Sequence, residues 1–81
     1  MFTSISESIA VVGTYNHSSF HPRKFKWRDR VYMIEQLTFV TELKDGGVKQ
    51  RMYSVTSGGN VYRLVFNRDT EDWQLAEVWC E

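Results

Sequence analysis

Cys80 is the only cysteine in the 81-residue chain, so no internal disulfide can form, and a lone thiol fits a reducing compartment. Structural zinc takes four Cys or His ligands in paired spacings, and Cys80 with His17 and His21 falls short of that set. The same three residues offer no nucleophile, base and orienting group at a recognisable spacing, so no catalytic residue is assigned and a non-enzymatic protein is expected. No cofactor is expected either. Gly46-Gly47 and Gly58-Gly59 lack the strand–loop–helix context of a phosphate cradle. The acidic run Asp69 to Asp72 lacks the glycine and distal glutamate of a calcium loop. No apolar run approaches the ~18 residues of a membrane span. The first residues lack the basic start and apolar core of a secretion signal. The expectation is a cytoplasmic protein with no membrane partner.

Net charge is absent as well: ten basic residues balance ten acidic ones, so no global field steers the chain toward nucleic acid. The local distribution is uneven. Residues 23 to 30 hold five bases and one acid, whereas residues 69 to 81 hold five acids and no base. There is one proline, and no segment sustains a 3.6-residue apolar period.

What is present is alternation. Phe25-Lys26-Trp27-Arg28-Asp29-Arg30-Val31-Tyr32 reads as a hairpin closed by the two-residue loop Arg28-Asp29. That register pairs Trp27 with Arg30, Phe25 with Tyr32 and Lys24 with Met33. It gathers Phe25, Trp27, Tyr32 and Ile34 on one face, with Lys24, Lys26, Val31 and Met33 on the other. A second hairpin closing at Gly58-Gly59 sets Val55 opposite Tyr62 and Tyr53 opposite Leu64, whereas closing at Gly59-Asn60 shifts the partners by two and keeps every residue on the same face. Trp73 and Leu75 then return beside Phe66 and Leu64. A change of apolar parity after Ile34 predicts a β-bulge near Glu35-Gln36, and a second change after Leu75 predicts another bulge or fraying at the C-terminus. Ile9 to Gly13 reads as a strand, although Ser4-Ile5-Ser6-Glu7 also suits the cap of a helical turn. Pro22 marks the entry to the first hairpin.

These readings predict one all-β domain over residues 1–81, an antiparallel meander of five or six strands. The meander would curl into an SH3-like barrel or a strongly bent sheet. Its core should hold Phe25, Trp27, Tyr32, Ile34, Tyr53, Val55, Tyr62, Leu64, Phe66, Trp73 and Leu75. A domain this small buries only about 60% of its unfolded surface, so it needs such large side chains.

The pattern F-x-W-R-x-R-x-Y-x-[IV], a later Y-x-V, a G-x-x-Y-x-L and a closing W-x-L-x-x-V run from Phe25 to Val78. In that order they resemble a bacterial family of short uncharacterised proteins, a domain of unknown function. Members of the family usually carry glycine where Asp29 stands here. The resemblance implies work linked to DNA and assigns no residue a role.

Two partner classes stand side by side. Arg23, Lys24, Lys26, Arg28 and Arg30 are candidates to track a phosphate backbone of DNA or RNA, with a neighbouring aromatic to stack a base. Val31, Met33, Met52 and Val65 are candidates for a protein–protein docking face if the sheet turns them outward. Against both stands an ordinary edge strand, whose lysines discourage unwanted pairing.

Overall fold

The computed structural model describes residues 1–80, with Asp45 described by its backbone alone. It contains eight strands, not five or six: β1 (Phe2–Ser8), β2 (Ala10–Asn16), β3 (Ser19–Trp27), β4 (Arg30–Met33), β5 (Gln36–Asp45), β6 (Val48–Ser57), β7 (Asn60–Asn67) and β8 (Asp72–Trp79). Among the described residues there is no helix, and so none long and apolar enough to cross a membrane. All pairings are antiparallel. They form a five-stranded sheet in the order β1-β8-β7-β6-β5 and a three-stranded sheet in the order β2-β3-β4. No closed barrel forms among these residues, because the ladder is interrupted at two corners. Ile9 separates β1 from β2 and donates its N–H to the Trp73 carbonyl at 3.2 Å; Ile34 and Glu35 separate β4 from β5 and donate to Arg23 and Thr56.

The turn chemistry explains the strand count. Arg28 and Asp29 both take positive φ (51° and 60°), which matches the twist of the flanking strands and fixes Trp27 opposite Arg30. His17 and Ser18 do the same (53° and 68°) and fold β2 onto β3, with Asn16 opposite Ser19. No glycine marks that turn, so a stretch of apparent loop proves to be a hairpin. The helical-turn option for residues 4–7 falls with it, since Ser4 and Glu7 pair with β8 across a bulge in β1.

Pro22 lies inside the central strand β3 rather than at its start. The β2–β3 register shifts between Val12 and Gly13, and Pro22 faces Gly13 there. A bulge is the place where a central strand tolerates a missing donor. Gly13 is required at that position. A Cβ there would lie 2.4 Å from the His21 carbonyl oxygen and 2.5 Å from the Phe20 ring that crosses it.

The bulge expected near Glu35-Gln36 sits three residues later, between Leu37 and Phe39. Leu37 therefore faces Val55 on the core side, while Phe39 faces Ser54 on the outer side. The second shift is a bulge too, with Ala76 extra between Leu75 and Glu77.

Between the sheets Phe25, Tyr53, Val55, Tyr62, Leu64, Leu75 and Val78 are buried. Trp27, Tyr32, Ile34, Phe66 and Trp73 are half-buried and pack against them, at the open margins where the sheets diverge. Val78 belongs to the core and escaped the sequence reading, because the bulge at Ala76 moves it inward.

Candidate functional site

The two sheets part at one margin, leaving an open cleft of about 540 Å³. The β3–β4 hairpin brings Trp27, Arg30 and Tyr32 to it, β7 brings Asn60 and Tyr62, and the chain after β8 brings Cys80. These positions are distant in sequence. Core packing assembles them: Phe25 stacks on Tyr32 with ring centroids 4.9 Å apart and planes 8° from parallel, and both rings meet Tyr62, at 5.2 and 5.4 Å. Trp27 leans on Tyr32 at 6.0 Å. Aromatic faces thus form the wall of the cleft and a guanidinium lies on its rim.

Glu7 on β1 orients the tryptophan. Its carboxylate accepts the Trp27 indole N–H at 2.9 Å and the Arg28 Nε–H at 3.0 Å, while the Arg28 guanidinium stacks 4.6 Å from the Trp27 ring centre. The Arg28 hydrogen bond, then that of Trp27, holds the Glu7 carboxyl below its ordinary pKa, and the hydrogen bond to Glu7 raises Arg28 above its own. The Trp27 ring is therefore clamped between an acid at its edge and a cation on its face.

The five basic candidates do not converge. Lys24 and Lys26 alternate with Phe25 and stand exposed on the outer face of the three-stranded sheet, where Arg23 donates to Thr14 Oγ1 at 3.2 Å. Arg28 is neutralised by Glu7. Arg30 reaches the cleft. The four apolar candidates are divided as well. Val31 and Met33 are exposed on the outer face of the three-stranded sheet, beside Val12. Met52 and Val65 are half-buried partners on the outer face of the other sheet.

Arg51 and Arg63, on the larger sheet, are already engaged. Arg51 binds Glu42 at 2.6 Å, and Arg63 binds Glu77 at 3.2 Å while lying 3.8 Å over the Phe2 ring. The Glu42 carboxyl is pulled below its ordinary pKa, chiefly by the Arg51 hydrogen bond. A second aromatic margin, where Phe20, Tyr53 and Trp73 meet, thus has Arg51 as its cation with an acid attached. His21 lines a cavity with Phe20 and Arg51, apart from Cys80 on the cleft, so His21 and Cys80 are not brought together. Among the described residues no cluster of three or more His, Cys, Asp or Glu could hold a metal ion.

The cleft itself escaped the sequence reading. Alternation assigned Trp27 and Tyr32 to the core, and only the divergence of the sheets leaves them lining an opening. No family model, curated protein or solved structure matches the chain.

Proposed function

We propose that this domain is a non-enzymatic, cytoplasmic binding module that holds single-stranded DNA or RNA at the cleft. One observation carries the reading: half-buried aromatic rings, Trp27 and Tyr32, share an open cleft with Arg30, for which no acidic partner is recorded among the described residues. Base–aromatic stacking contributes about 1–3 kcal/mol per base and tolerates any sequence, which suits a wall of rings without a donor–acceptor code. Arg30 supplies the phosphate contact, and Arg23, Lys24 and Lys26, exposed on the central strand β3, extend the electrostatic footprint. The DNA-linked expectation attached to the hairpin pattern points the same way. In this reading the two corner-bent sheets are an SH3-like barrel opened along its seams, and the opening is the binding site.

The test is titration of labelled single- and double-stranded oligonucleotides at low salt. Neutralising about four phosphates of a single strand predicts a slope of log K against log salt near −3. Arg30→Glu should weaken binding at least tenfold, and Lys24→Glu with Lys26→Glu should lower the slope while leaving cleft binding in place. No binding at ~50 µM protein would end the proposal, since non-specific affinities fall near 10⁻⁴–10⁻⁶ M even at physiological salt.

A second reading, a protein docked on the outer face of the three-stranded sheet, draws on exposed Val12, Val31 and Met33 beside Lys24 and Lys26. In that case the lysine double variant abolishes partner binding and Arg30→Glu does not.

A further inference from the structure

A sheet edge offers unpaired N–H and C=O groups to any passing strand, and proteins blunt their edges by shortening, bulging or charging them. Three of the four edges in this molecule are blunted. β4 spans only Arg30–Met33 and carries Arg30. β1 shifts register between Ser4 and Glu7, with Ser6 in positive φ. The β2 edge is twisted where Arg23 bulges from its partner β3, opposite Val12 and Gly13. The fourth edge, β5, is different. Past its bulge it runs in unbroken register with β6 from Phe39 to Asp45. It also exposes apolar side chains on both sides of the sheet: Phe39 (56%) and Leu43 (38%) on the outer side, Val40 (43%) on the inner side. A surface facing solvent or a flat partner would place its apolar groups on one side only. Apolar groups above and below a bare edge fit a strand that continues the sheet.

We propose that β5 pairs antiparallel with β5 of a second copy, making one continuous ten-stranded sheet across a two-fold axis. The strand's own sequence favours self-pairing. With the axis at Thr41, Phe39 of each copy faces Leu43 of the other, two apolar cross-strand pairs on the outer side. Val40 then faces Glu42 and Thr38 faces Lys44, so no like charges stand opposite each other among these positions. Glu42 is held by Arg51 of its own chain and needs no partner across the axis. The cleft is lined by other strands and stays open in the dimer.

Sedimentation or light scattering of the intact protein at ~100 µM should give twice the 9.6 kDa protomer mass. Phe39→Lys with Leu43→Lys should return it to the protomer with the fold retained, since both side chains already face solvent. In a Cys80→Ser background, Thr41→Cys should cross-link rapidly on mild oxidation, because directly opposed residues on antiparallel strands lie about 4.5–5.5 Å apart, within disulfide reach. Gln74→Cys, at an exposed position of the interior strand β8, is the control. A protomer mass at ~200 µM overturns the proposal. So does a dimer that survives the double lysine variant or cross-links no faster through residue 41 than through residue 74, because its contact lies elsewhere.

Discussion

The five-stranded sheet supplies Tyr53, Val55, Tyr62, Leu64, Leu75 and Val78 to the core, whereas Phe25 is the buried large side chain that the three-stranded sheet sends across. One sheet thus builds most of the interior, and the other closes it with a single aromatic plug, supported by half-buried Val11, Phe20, Trp27 and Tyr32. The polar ties between them are correspondingly few: the Glu7 clamp on Trp27 and Arg28, and the Ser57 hydroxyl donating to the Met33 carbonyl at 2.7 Å. Elements with few buried contacts open at lower free energy than the rest of a fold. The smaller sheet is therefore the lid of the larger one, and the cleft opens along that lid.

Removing the plug should have the largest effect. Phe25→Ala deletes a ring packed on Tyr32 and Tyr62 and should cost about 3–5 kcal/mol in urea unfolding. Hydrogen exchange should show β2, β3 and β4 amides losing protection before those of β6 to β8. Equal loss in both sheets would contradict the asymmetry. Trp27→Ala, at the rim of the cleft, should cost less than Phe25→Ala.

Gly13→Ala probes the small sheet from within. The added methyl meets backbone at His21 and the Phe20 ring, so about 1–3 kcal/mol of overpacking is expected, again confined in exchange experiments to β2 and β3. A neutral result would mean that Phe20 swings aside freely.

The smallest effect belongs to the clamp. Because the folded carboxyl of Glu7 is held below its ordinary pKa, its stabilisation is present above the unfolded carboxylate pKa, about 4.3, and is lost as pH falls through the depressed folded value. The pair is exposed and so weak. Melting curves from pH 3 to 7 should show a slightly steeper acid decline for wild type than for Glu7→Gln. Parallel curves would show that the clamp orients Trp27 without stabilising the fold.

Hairpins were the legible part of this molecule. At Arg28-Asp29 turn chemistry and two-residue alternation specify register and facing, and Phe25 pairs with Tyr32; in the second hairpin alternation specifies the facing alone, and the structure takes the Gly58-Gly59 closure that sets Val55 opposite Tyr62. The β2–β3 hairpin was not legible, because His17-Ser18 takes left-handed geometry without glycine and Pro22 hides in a bulge. Displacing the bulge from Glu35 to Thr38 was enough to turn Phe39 outward. The site was the least legible, because local alternation says which face a ring takes and nothing about where two sheets diverge.

The pairing of β1 with β8 places Phe2 opposite Trp79, their rings 5.1 Å apart, so the first strand finds its partner almost a full chain length away. Every other ladder joins neighbours in sequence. Local hairpins close in microseconds, whereas folds that depend on remote pairing complete in milliseconds to seconds. The two meanders, β2 to β4 and β5 to β8, are therefore expected to form before β1 docks. Its docking delivers Glu7 to Trp27 and lays Thr3 and Ile5 along the cleft. The cleft is complete only once this remote pairing has formed.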